Sequence, residues 1–86
     1  MEDIRVKIVQ KKLGHRIRYL RKQKGWTQEQ LAYESGLGPA SMGAIERGEV
    51  SVRFANLLRL SQVLDITLSE LLKGTDDPRS GTKGGS

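Results

Sequence analysis

The chain has 86 residues, a formal net charge of +5 and no cysteine. That length suffices for one small domain with a single core. Without cysteine, neither a disulfide framework nor a thiolate metal site can stabilise it. No stretch is apolar over the length that crosses a bilayer, and no signal-peptide pattern opens the chain. We therefore expect a soluble intracellular protein with no membrane partner.

The positive charge is concentrated in the first 25 residues. They carry nine Lys and Arg against Glu2 and Asp3, whereas residues 26–74 carry four basic residues against six acidic ones. A net positive charge favours a polyanionic partner such as nucleic acid. A solvated basic helix face would produce the same pattern, so composition leaves both interpretations open.

Apolar residues at helical spacing predict a first helix from about residue 3 or 5 to residue 24, which Gly25 ends. The alternation along residues 4–8 also suits a β arm, which is the alternative for residues 1–10. We favour the helix because extending an existing helix costs less than starting a lone strand. On either interpretation residues 1–12 precede the domain proper. The apolar stripe consists of Ile4, Ile8, Leu13, Ile17 and Leu20.

Residues 26–48 predict two short helices joined by a glycine turn. Thr27 is a candidate N-cap that accepts from the Gln30 backbone N–H while the Gln30 side chain reaches back, which makes a capping box. Gly36 stands where a helix end needs a left-handed residue. Pro39 opens the next helix where a missing N–H is harmless. Such a pair can present its second helix to the major groove of DNA.

The complete pattern predicts an all-α, compact five-helix bundle over residues 13–74. A fifth helix, capped by Thr67 and ended by Gly74, closes it. Residues 75–86 contain no large apolar residue and are expected to form a disordered tail, part of it derived from an expression vector. Helices two to four are predicted at about 28–35, 39–47 and 53–64, the last burying Phe54, Leu57, Leu58, Leu60 and Leu64.

With these motifs the chain resembles the Cro-type phage repressor, or XRE, helix-turn-helix DNA-binding domains over about residues 13–72. The resemblance implies a sequence-specific regulator of transcription, in the first instance a repressor, in the cytoplasm of a bacterium or phage host. It would bind double-stranded DNA as a homodimer, with helix 39–47 in the major groove. The motifs are Leu13-Gly14, Ile17-Arg18, Leu20-Arg21, Thr27-Gln28-Glu29-Gln30-Leu31-Ala32, Gly36-Leu37, Ile45-Glu46-Arg47-Gly48, Leu57-Leu58-Arg59-Leu60 and Val63-Leu64.

The family pairs an arginine of helix one with the glutamate of the Ile-Glu-Arg-Gly stretch, here Arg21 and Glu46. Helical angles place Glu46 on the flank of the inward side, where a partly buried carboxylate needs a cation. A phosphate contact by Arg21 is the alternative. Gln28, the first residue of helix two, can reach a phosphate at the positive end of the helix dipole, or is simply exposed.

The outward face of helix three departs from the family because its side chains are small. A deep fit, with alanine methyls against thymine methyls and a contribution from DNA shape, is one explanation. Packing against another protein helix, as in the antitoxin of a toxin–antitoxin pair, is the other. Glycine inside a helix costs about 1 kcal/mol relative to alanine, so a close contact at Gly43 is expected. The face comprises Pro39, Ala40, Gly43, Ala44 and Arg47, with Ser41 on its flank.

Arg53 and Asn56 fall near the turn into helix four, which lies along the phosphates in relatives. The candidate nucleic-acid-binding residues are Thr27, Gln28, Gly38, Pro39, Ala40, Ser41, Gly43, Ala44, Arg47, Arg53 and Asn56.

The candidate dimer surface is the apolar end of the chain, whose residues could equally seal the core. We expect no enzyme activity, cofactor or metal, because His15 is the single histidine and nothing pairs a nucleophile with a base. A basic stripe on helix one is compatible with membrane adsorption, but its apolar side is needed for the core. The dimer candidates are Ile66, Leu68, Leu71 and Leu72, and the stripe is Lys11, Lys12, Arg16, Arg18 and Lys22.

Overall fold

The computed structural model describes residues 3–76, and the secondary structure in that range is entirely helical. This confirms the predicted all-α class and five-helix architecture. Within the same range no helix combines the length and apolarity that a membrane span requires. The helices are α1 (Ile4–Gln23), α2 (Gln28–Ser35), α3 (Pro39–Glu46), α4 (Phe54–Val63) and α5 (Leu68–Leu71).

α1 is helical from Ile4 onward, so the β-arm alternative is wrong for the described part of the N-terminal segment. The Asp3 side chain caps it by accepting a hydrogen bond from the Arg5 backbone N–H at 3.0 Å. Ile4 is 62% exposed, so the apolar stripe does not extend that far upstream. The reason is that Ile4 lies at the end of the helix, beyond the elements that bury Leu13 and Ile17.

The glycine turn between α2 and α3 has the predicted geometry. Thr27 Oγ1 accepts from the Gln30 backbone N–H at 3.1 Å, and Gln30 Oε1 accepts from the Thr27 N–H at 2.8 Å. Gly36 has φ +73° and ends α2, while Pro39 is the first residue of α3. Both helices therefore lie within one residue of their predicted bounds.

The buried side of α4 is narrower than predicted. Leu60 and Leu64 belong to the core, but Phe54 is 64% exposed and Leu58 is 38% exposed. Phe54 and Leu58 are one turn apart on a face of the helix that is rotated away from Leu60 and Leu64. The prediction that all these residues share one buried face of α4 is therefore wrong for Phe54 and Leu58.

The folded part of the chain extends beyond the predicted boundary at residue 74. Thr75, predicted to begin the tail, is 4% exposed, and its hydroxyl donates to the Leu72 carbonyl at 2.7 Å. Lys12 Nζ donates to the Asp76 carbonyl at 3.0 Å. The remainder of the predicted tail, residues 77–86, lies outside the described residues.

α3 is held against α1 and the core from behind. Met42 is fully buried and Ile45 is 5% exposed. α1 approaches the end of α3 through Gly14, where an added Cβ would lie 2.6 Å from the Ile45 carbonyl oxygen and 2.5 Å from that of Glu46. The buried apolar core is formed by Leu13, Ile17, Leu31, Ala32, Met42, Ile45, Leu60, Leu64 and Leu71.

Gly14→Ala is expected to lower the free energy of unfolding by about 1–3 kcal/mol, because overpacking outweighs the roughly 1 kcal/mol that alanine gains over glycine inside a helix. Backbone carbonyls, rather than a movable side chain, oppose the new methyl group, so α1 and α3 must separate. Urea denaturation followed by circular dichroism measures the change. Gly38→Ala is the control, because its Cβ would meet only Ser41 Oγ at 4.0 Å, and its expected loss is below about 1 kcal/mol, the cost of alanine in place of glycine at an N-cap position. Equal stability of the two variants would contradict the close packing of α1 and α3.

Candidate nucleic-acid interface

One face of α3 and the chain that leads into α4 form a shallow cleft of about 380 Å³. Ala40 and Ser41 are exposed and Ala44 is half-buried. Small side chains on a supported helix leave room for a bulky partner to approach the helix backbone. The cleft brings together five of the predicted nucleic-acid-binding residues, namely Ala40, Ser41, Ala44, Arg53 and Asn56.

The prediction that Gly43 belongs to the open face of α3 is wrong. Gly43 is buried, and a Cβ on it would lie 3.0 Å from Arg47 Nη1 and 3.5 Å from Gln28 Oε1. The close contact expected at Gly43 therefore exists, but it lies within the protein. Because Gly43 has no side chain, Arg47 and the Gln28 amide can both lie against α3.

The Gln28 amide belongs to a buried network centred on Glu46. Arg21 donates to Glu46 through Nε at 2.7 Å and Nη2 at 3.0 Å, and to the Trp26 carbonyl through Nη1 at 2.8 Å. Gln28 Nε2 donates to Glu46 Oε1 at 3.0 Å. The side chain of Arg21 is 10% exposed and that of Glu46 is 3% exposed, and the bond to Glu46 raises the pKa of Arg21.

This network joins α1, α2 and α3, which is the structural role expected for Arg21. The interpretation of Gln28 as simply exposed is wrong, because its amide is half-buried and engaged. An amide has two N–H donors, so the bond to Glu46 orients Gln28 without using its whole donor capacity. Gln28 thus has a fixed position at the positive end of α2.

Arg47, at the end of α3, forms an exposed ion pair with Glu49. Arg47 Nε donates to Glu49 Oε2 at 2.9 Å, and Nη2 donates to Oε1 at 3.2 Å. The hydrogen bond from Arg47, and also the positive charges of Arg47 and Lys11, hold the pKa of Glu49 below its usual value. Glu49 was not among the candidate residues, although an acid two positions after Arg47 was visible in the sequence.

Three other candidates surround the N-termini of α2 and α3. Thr27 is exposed, but its hydroxyl is used to cap α2. Gly38 and Pro39 are exposed at the start of α3, where Gly38 makes no side-chain cap. The unpaired N–H groups of both helix starts give these positions a partial positive charge.

The predicted dimer surface needs one correction. Leu71 is fully buried in the core, so its side chain cannot contribute to contacts between subunits. Ile66, Leu68 and Leu72 are half-buried and pack on the edge of the core. Within residues 3–76, no group of three His, Cys, Asp or Glu side chains is arranged to share a metal ion.

A supported helix with an open face, preceded by a second helix and a glycine turn, defines the class of helix-turn-helix proteins. Comparison with known sequences agrees, because the helix-turn-helix family model HTH_3 matches residues 17–71. The chain belongs to this family, as the XRE resemblance implied.

Known relatives include an HTH-type transcriptional regulator y4dJ of Sinorhizobium fredii, 32% identical over 87% of this chain and 97% of that protein. The regulator SlrR of Bacillus subtilis is 42% identical over 69% of this chain. The crystal structure of the restriction-modification controller protein C.AhdI from Aeromonas hydrophila superposes with a TM-score of 0.69 and 46% identity, covering 71% of this chain and 92% of that one.

Coverage of the relatives is uneven: the chain spans only 57% of a Neisseria meningitidis transcription factor, 38% of Escherichia coli SutR and 40% of SlrR. The comparisons support a DNA-binding regulator of transcription and do not favour the antitoxin alternative.

Glu46→Gln is expected to lower the free energy of unfolding by about 3–5 kcal/mol, because it leaves the buried Arg21 guanidinium without a counter-charge. Urea denaturation measures the loss. Glu49→Gln breaks an exposed ion pair and should leave stability unchanged within error. In the double variant Arg21→Met/Glu46→Leu most of the lost stability should return. A Glu46→Gln protein as stable as the parent would disprove the structural role of the pair.

Proposed function

We propose that this protein is a sequence-specific regulator of transcription, acting as a repressor, that inserts α3 into the major groove of double-stranded DNA. The observation that carries the proposal is the open, small-residue face of α3, supported from behind by Met42 and Ile45. On this proposal the protein works in the cytoplasm, at the bacterial or phage DNA that it controls.

The small side chains favour a deep fit. With Ala40 and Ala44 facing the groove floor, the helix backbone can come closer to the base edges than long side chains would allow. Alanine methyls suit contact with thymine methyls, and the Ser41 hydroxyl can donate to or accept from a base edge. Sequence preference then comes partly from the width and deformability of the DNA.

Phosphate contacts hold the helix in register. Arg53 and Asn56 line the same cleft as Ala40 and Ala44, while Gln28 and the start of α2 flank the other side of α3. Arg47 provides a further cation at the C-terminal end of α3. Groups of this kind position a protein on DNA and carry no sequence information themselves.

We further propose that the protein binds as a homodimer through the α4–α5 end of the molecule. The half-buried Ile66, Leu68 and Leu72 lie there, and α4, which packs on α5, adds the exposed Phe54 and Leu58. A two-fold dimer requires two inverted half-sites about 34 Å apart. Sequences selected from random DNA should contain that symmetry.

Ala44→Glu is expected to reduce the affinity for a duplex selected by the parent protein from random DNA by at least about 100-fold. The carboxylate would occupy the groove-facing side of α3, where it blocks insertion and is repelled by phosphates. Fluorescence anisotropy of the labelled duplex, at one fixed salt concentration, measures the affinity.

Tyr33→Glu is the matched control, because it makes the same charge change on a side chain of α2 that is 83% exposed. Its affinity should fall only slightly. If the parent selects no duplex in preference to others, the proposed function is wrong. If Ala44→Glu and Tyr33→Glu bind alike, α3 does not enter the groove.

Glu49→Gln is expected to raise DNA affinity about three- to tenfold. In the free protein the Glu49 carboxylate is paired with the Arg47 guanidinium, and it also repels phosphates. The substitution removes both effects. Because the pKa of Glu49 is lowered, its carboxylate is charged at all pH values above the ordinary carboxyl range, and the gain should be constant there. Titration of parent and variant at neutral and mildly acidic pH tests this, and unchanged affinity would argue against a phosphate contact by Arg47.

A further inference from the structure

A second cleft, of about 610 Å³, lies beside the C-terminal end of α3 and has a basic wall formed by α1. We call this wall the α1 stripe: Lys7, Lys11, His15 and Arg18. Their spacing of three or four residues places them on one face of the helix, and all four are exposed. The opposite wall includes Arg47, Gly48 and Glu49.

Close packing fixes the α1 stripe next to the end of α3. A Cβ on Gly48 would lie 2.6 Å from the Lys11 Cα, so the backbone of α1 touches the turn that follows α3. The charge of Lys11 also contributes to the lowered pKa of Glu49. The stripe therefore continues the surface that carries Arg47.

The cleft keeps a net positive charge. Its two lining carboxylates, those of Glu46 and Glu49, are held by Arg21 and Arg47 respectively. Lys11 and Arg18 of the α1 stripe add two further positive charges to that balance.

The other side of α1 also carries cations. Arg5 pairs with Asp3, Lys12 donates to the Asp76 carbonyl, and Arg16 donates to the carbonyl and carboxylate of Glu70. These cations bind groups of the protein itself. The basic residues predicted to form one stripe on helix one thus divide between two faces. Lys11 and Arg18 line the cleft beside α3, whereas Lys12 and Arg16 do not.

We propose that the α1 stripe binds phosphates of the same duplex, outside the base pairs covered by α3 and on the side of Arg47. This inference rests on the proposed function. From Lys7 to Arg18 the helix rises about 16 Å, over which one strand of B-DNA carries about five phosphates. Length, charge and continuity with Arg47 all match a DNA backbone, and the contact extends the binding site beyond the helix-turn-helix.

The test compares two triple variants that each lower the net charge by three. Lys7→Gln/Lys11→Gln/Arg18→Gln removes the cations of the stripe, and Arg5→Gln/Lys12→Gln/Lys73→Gln removes three from elsewhere on the surface. Affinity for a selected duplex with long flanks is measured over a range of salt concentrations. The salt slope is the slope of the logarithm of the binding constant against the logarithm of the salt concentration. In the stripe variant its magnitude should fall by about 2 to 3 per subunit, because each phosphate contact contributes about 0.9. The control variant should lose less than about 1.

A second duplex, trimmed to the base pairs covered by α3, locates the contact. On it the parent protein and the stripe variant should have the same salt slope. If the triple variant does not fold by circular dichroism, the single variants Lys7→Gln and Arg18→Gln provide the comparison, with a loss of about 0.9 each.

The outcomes separate the two proposals. A parent protein without preference for any duplex removes the proposed function and this inference with it. A parent that binds, with stripe and control variants of equal slope, overturns this inference alone. A slope difference that persists on the trimmed duplex overturns the location outside the α3 half-site.

Discussion

The buried salt bridge between Arg21 and Glu46 is the interaction on which the rest of the interface depends. Glu46 is the last residue of α3, and its carboxylate accepts hydrogen bonds from α1 and from Gln28 at the start of α2. A charge in that position is costly unless it is fully paired. The pair therefore specifies one orientation of α3 relative to α1 and α2, and the exposed face of α3 follows from that orientation.

Two glycines, one in α1 and one inside α3, permit this arrangement. Gly14 allows the α1 backbone to come against the carbonyls of Ile45 and Glu46, and Gly43 allows Arg47 and Gln28 to lie on the helix surface. The helix is therefore held closely by α1 and α2. The open part of α3 is a narrow strip around Ala40 and Ala44. This strip offers a partner a smooth surface rather than long polar side chains.

The net charge of +5 does not show which cations are available to a partner. Several cations are hydrogen-bonded within the protein, among them Arg16 with Glu70 and Arg47 with Glu49. The Arg47 pair is exposed and exchangeable, so a phosphate can replace the carboxylate at little cost. The α1 stripe lies next to that pair. The surface beside α3 is therefore positive although residues 26–74 carry a net negative charge.

Local sequence determined the elements, because capping residues, glycine stops and helical periodicity act within a few residues of each other. Thr27, Gln30, Gly36 and Pro39 set the turn between α2 and α3 in this way, and the Arg21–Glu46 pair followed from the family resemblance. Only the tertiary structure decided which faces stay open: it buried Gly43 and Leu71 and exposed Phe54. These outcomes depend on contacts between distant segments, whose distances a one-dimensional pattern does not contain.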